Sequence, residues 1–116
     1  MVVRFWSART THVRFPEYLH HFNQHVLPSL RAVDGFLEAR VISQSDGVVV
    51  QFIVETLWSS MEAIGRFAGR DHEEAVIADE ALHLLTSYDR RVRHYMVDLC
   101  ETHAATATTH ESAKQA

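Results

Sequence analysis

The sequence is poor in several things that would have decided its class at once. It has a single cysteine, Cys100, so no intramolecular disulfide can form, and a lone free thiol fits a reducing, cytoplasmic compartment. It has no apolar run near the roughly 20 residues needed to cross a bilayer. The apolar start is interrupted at Arg4, so no secretory leader is expected. Positive charge is not in excess: 11 Lys and Arg face 15 Asp and Glu, a net charge of −4. That balance excludes the basic footprint of a nucleic-acid binder. The one dense basic group, Arg90, Arg91 and Arg93, reads as the approach to a strand. There is no glycine-rich phosphate loop, no nucleophile elbow and no zinc-ligand spacing.

What remains is an ordinary globular balance, 47% hydrophobic and 22% charged, in 116 residues. One domain over residues 1–99 is expected, followed by a tail over 100–116. The tail is Ala, Thr, Ser and His without apolar period, and too poor in burial to offset chain entropy. Val2 to Arg9 is β-branched and aromatic and predicts a strand. Phe15, Tyr18, Leu19, Phe22, Val26 and Leu30 recur at spacings of three and four, one face of a helix that Pro28 should end or kink. Phe36 to Ser43 and Val48 to Leu57 predict two strands around a hairpin turn at Ser45-Asp46-Gly47.

Ser59 and Glu62 have capping-box spacing before a second helix that Gly69 should stop. Asp71 and Glu74 offer another box, for a helix through Ala75 and Val76. Arg91 to Leu99 predicts the last strand. The order β-α-β-β-α-β is the split βαβ of a ferredoxin-like α+β fold, an antiparallel sheet with helices on one face.

The strands then suggest what covers the other face. Val48, Val50, Phe52 and Val54 point to one side; Trp6, Phe36, Ile42 and Ile53 are assigned to the opposite, charge-bearing side. That much apolar area among charges predicts a homodimer with two sheets packed face to face.

Nine histidines invite a test for ligands. His21 and His25, four apart on the first helix, lack a located third ligand and read as a solvated pair, so no metal is expected. His94, mid-strand, points at either the helices or the partner sheet. It is a hydrogen-bonded core histidine or a proton acceptor titrating near neutrality. His72 follows Asp71 at the mouth of the space beneath the helices. Trp6, Trp58 and Phe67 are plain core or the wall of an apolar pocket.

The stretch Trp58-Ser59-Ser60-Met61-Glu62-Ala63-Ile64, then Phe67-Ala68-Gly69-Arg70-Asp71, Glu74-Ala75-Val76 and Val92-Arg93-His94-Tyr95-Met96-Val97 resembles the antibiotic biosynthesis monooxygenase family of dimeric α+β barrels. Arg4-Phe5-Trp6 and Pro28 to Gly35 are similar to that family's first strand and helix end, so the resemblance spans about residues 2–99. It implies oxygenation of a small phenolic or anthrone-type aromatic without metal or organic cofactor, in a homodimer. Deprotonated substrate would react with O₂ in an apolar pocket. The resemblance would give that work to His94 and His72 as proton-transfer groups, with Arg4, Trp6, Phe67 and Tyr95 holding the ligand. The haem-degrading branch places an Asn, a Trp and a His where this chain has Ser7, Phe67 and Ile77, which excludes haem degradation; the oxygenase branch also tends to place a Trp at Phe67. The alternative is a non-catalytic dimer of the same fold that binds a small ligand.

Overall fold

The computed structural model describes residues 1–104. Of the expected tail, the part from 105 onward lies outside the described residues. The elements are β1 (Val2–Thr11), α1 (Phe15–His21), a π-helical turn (Phe22–Val26), α2 (Leu27–Arg31), β2 (Phe36–Ser45), β3 (Val49–Trp58), α3 (Met61–Ala68), α4 (Asp79–Leu82), β4 (Ser87–Tyr88) and β5 (Arg93–Met96). The strands form one antiparallel sheet in the order β2-β3-β1-β4, with β5 also on β1. β4 and β5 are two pieces of one edge: β4 pairs with Ala8 and Arg9, β5 with Val2 to Phe5. This is the ferredoxin-like α+β arrangement, with the helices on one face. No helix among the described residues is long and apolar enough to cross a membrane.

β1 alternates strictly. Val2, Arg4, Trp6, Ala8 and Thr10 are buried under the helices, and Val3, Phe5, Ser7 and Arg9 face the open side. Cross-strand partners share a face, and Trp6 pairs with Val54, beside the fully buried Phe52. Trp6 therefore belongs to the helix side, not to the open face expected for it. The parity was one residue off, which in a strand exchanges the two faces.

Phe36 moves sides for a different reason. The pairing of β2 with β3 shifts between Phe36 and Glu38, so Leu37 is the extra residue of a bulge and is half exposed. Phe36 is thereby turned onto Trp58, 5.4 Å between ring centroids, while Ala39 and Val41 also pack on the core. Ile42 and Ile53, a cross-strand pair, stay on the open face.

Pro28 does not end the first helix. The turn before it widens, with Leu27 N–H donating to Phe22 O in the i to i+5 pattern, and helix resumes with Pro28 in its first turn, where a missing N–H costs nothing. The second helix starts one residue late: Ser60, not Ser59, is its cap, its Oγ accepting from Ala63 N–H at 3.1 Å. It stops at Gly69, whose φ of 84° suits glycine.

The helix expected at Asp71 is absent. Asp71 Oδ1 accepts from Glu73 N–H at 3.1 Å in a local turn, and Arg91 pairs with both Asp71 and Glu73. The chain then runs extended beside residues 90–92, with Ala75 N–H donating to Arg90 O and Val92 N–H to Glu73 O. One helical turn, α4, follows. The last strand is shorter than expected, Arg93–Met96 rather than Arg91 to Leu99.

Candidate functional site: a cavity between the helices and the sheet

A cavity lies between the first helical segment and the inner face of β1 and β3. The extended stretch Val76-Ile77-Ala78 closes it on one side. Its walls enclose about 580 Å³, the open mouth included. The walls are mostly apolar. Trp6, Tyr18, Phe22 and Phe67 supply aromatic faces; Val26, Leu30, Val54 and Val92 fill between them. Tyr18 stacks at 4.6 Å on Phe52 and at 6.5 Å on Trp6, which fixes that wall. Trp6 donates its indole N–H to Asp89 O at 2.6 Å, so it meets the cavity as a flat apolar surface.

The polar groups are few. Arg4, on β1, is 5% exposed and faces the cavity. Its Nη1 donates to His72 O and to His94 Nε2 (3.2 Å), and its Nη2 to Glu74 O (2.9 Å). Its Cζ lies 5.8 Å from the Phe67 ring centroid. Burial pulls its guanidinium down to about 10, still charged at neutral pH. His21 is also buried and lines the cavity from the helix side. Burial, then the neighbouring His25, holds its imidazole below the ordinary histidine value, with Glu80 opposing, so it is neutral at neutral pH. Burial raises the Tyr18 phenol, which stays protonated.

The expected site residues divide three ways. Arg4, Trp6 and Phe67 line the cavity together. His94 and His72 stand behind Arg4 instead. Because an arginine can only donate, His94 Nε2 must carry a lone pair towards it, and burial followed by the Arg4 charge lowers the His94 value. The His72 ring rests against Gly65, where an added Cβ would sit 2.7 Å from Nε2. Tyr95 is on the far side of the sheet, edge-on to Phe5 at 6.0 Å between centroids. The sequence reading missed His21, Tyr18 and Thr56 as site residues. His21 was read as solvated from its place at the edge of the apolar stripe. His21 nevertheless closes the regular part of α1 three residues after the buried Tyr18, so ordinary helical spacing puts it on the buried side. Ser7 faces the open side, while Phe67 and Ile77 line the cavity.

Comparison by sequence finds no matching family model and no matching curated protein. Solved structures do match in fold. Two are provisionally assigned as antibiotic biosynthesis monooxygenases. The one from Bacillus cereus has a TM-score of 0.65 at 12% identity, covering 88% of this chain and 97% of that one. The one from Deinococcus radiodurans has a TM-score of 0.61 at 16% identity, covering 90% and 100%. A third is the heme-degrader MhuD of Mycobacterium tuberculosis with two hemes in its active site, TM-score 0.58 at 19% identity, covering 88% and 100%. The chain carries the α+β fold of these structures, and identities this low speak for the fold alone.

Haem does not fit the cavity described here. Position 77, where the haem-degrading branch is expected to place its histidine, is isoleucine, position 67 is phenylalanine, and Ser7 faces the open side of the sheet.

Proposed function

We propose that this protein is a cofactor-independent monooxygenase-like enzyme acting on a small phenolic or anthrone-type aromatic in the Arg4–His21 cavity. One observation carries the reading: a buried guanidinium and a neutral, buried imidazole share one aromatic-walled cavity. Such a cavity can take a proton from an acidic aromatic and hold the anion that results. His21 accepts the proton, Arg4 stabilises the oxyanion, and Trp6, Phe67 and Phe22 sandwich the ring. The electron-rich anion then reduces O₂. For an anthrone-type CH₂, the oxygen adds at that carbon and water leaves, so CH₂ and O₂ become C=O and H₂O. His94 and His72 act through Arg4 by holding its Nη1. The working unit is a homodimer joined by the open sheet face.

Oxygen uptake with a panel of anthrones and naphthols tests this. His21→Asn should lower the rate by about 10²–10⁴-fold, the usual range for losing a general base, with ligand binding kept. If no member of the panel consumes oxygen, the enzyme reading fails and the non-catalytic ligand-binding dimer replaces it.

A further inference from the structure

We infer that the cavity takes its ligand as an anion: a flat aromatic bearing a single oxyanion, phenolate or carboxylate, docked on Arg4. The inference rests on the same cavity as the monooxygenase reading but not on turnover.

Arg4 is 5% exposed and has no counter-ion among the described residues. Among the described residues, the ion pairs are Arg40 with Glu55 and Arg91 with Asp71 and Glu73; none involves Arg4. Its acceptors are neutral, two main-chain carbonyls and an imidazole. A guanidinium has five N–H groups. Three are used, which leaves Nε–H and one Nη2 hydrogen without an acceptor among the described residues. No aspartate or glutamate lines the cavity, and its one histidine is neutral, so the cavity carries one uncompensated positive charge. A buried charge without a partner is costly, and an oxyanion meets both the charge and the two free donors. With Phe67 over Arg4 and Trp6 and Tyr18 along the wall, the rest of the ligand must be flat and apolar. No second cation is present to hold a dianion.

Calorimetric titration of the full chain with 2-naphthoate, 2-naphthamide and 2-naphthol tests this. The amide matches the carboxylate in size and lacks only its charge. Naphthoate should bind about 10- to 100-fold more tightly than the amide, the advantage of charge-assisted hydrogen bonds. Naphthol, titrated at neutral pH and followed by its absorption, separates the sources. The red-shifted band of the naphtholate on binding identifies phenolate as a ligand form wherever the proton goes; naphthoate preference without that band identifies carboxylate. Arg4→Lys should keep a reduced preference and Arg4→Gln should lose it. Should Arg4→Gln fail to fold, the comparison of naphthoate with amide on the unaltered chain still decides. Equal affinity for naphthoate and amide, or no binding of any of the three at millimolar concentration, overturns the inference and leaves Arg4 as a structural tie. Charge preference without oxygen uptake from any phenol would sink the enzyme reading alone.

Discussion

His94 shows how much a single side chain's partner decides. Its strand position restricted it to two directions, and the pairing of Arg4 with His94 places both on the helix side. The structure then gives its Nε2 lone pair to Arg4, so the group read as a proton acceptor for substrate is occupied. His94→Gln should be well tolerated, because the amide oxygen can accept from Nη1. His94→Leu, which removes the acceptor, should cost about 1–3 kcal/mol. The buried imidazole of His21 and the partly buried one of His94 also set a pH response. Burial lowers both His21 and His94 below their ordinary 6.5, so the folded state favours their neutral forms. Their contribution to stability is complete above that value and is lost as pH falls below it through the lowered values. Thermal melts should therefore show a falling midpoint between about pH 7 and pH 5, with a shallower fall in His94→Gln. An unchanged midpoint in the unaltered chain would contradict the burial of these two rings.

At the scale of elements, the turn between α2 and β2 has the least tolerance. Gly35 has φ of 97°, and an added Cβ would lie 2.5 Å from Ala63 Cβ and 2.8 Å from Ser59 Oγ. Its carbonyl accepts from Ser59 N–H, tying this turn to the start of α3. Gly35→Ala should lower stability by about 2–4 kcal/mol, from left-handed backbone and overpacking together, as read by denaturant unfolding. Elements of this kind were legible: strand runs, the helix stop at Gly69 and the hairpin at Asp46-Gly47 follow from local chemistry. What was not legible depends on contacts far along the chain. Leu37 bulges because Phe36 is drawn onto Trp58, Pro28 is absorbed by a widened turn, and Asp71 serves Arg91 rather than a helix. In the cavity, Arg4, Trp6 and Phe67 were foreseeable as a group, and His21, three residues after Tyr18 on the same helical face, was legible too but set aside as solvated.

At the scale of the molecule, the open sheet face is the part left unpartnered. Val3, Phe5, Ile53 and Leu57 are half-buried on it, with Ile42 and Tyr95 exposed beside the Arg40–Glu55 ion pair. This is the surface proposed to join two copies. Phe5→Glu with Ile53→Glu should halve the mass found by light scattering at micromolar concentration while the monomer stays folded. A monomer mass for the unaltered chain would refute the dimer. Trp6→Glu separates the two faces: Trp6 lies on the cavity side, so this change should damage folding and ligand binding rather than assembly.

The three bonds of Arg4 have a consequence in time. They join residue 4 to residues 72, 74 and 94, across 68, 70 and 90 positions of chain. Contacts of such long separation are slow to form, since loop closure must precede any gain from them. The first strand and the last must both be in place before the guanidinium is held, and the stretch that walls the cavity hangs from the same side chain. Any ligand docked on Arg4 would accordingly be bound late in folding, and would report a molecule whose first and last strands have already met.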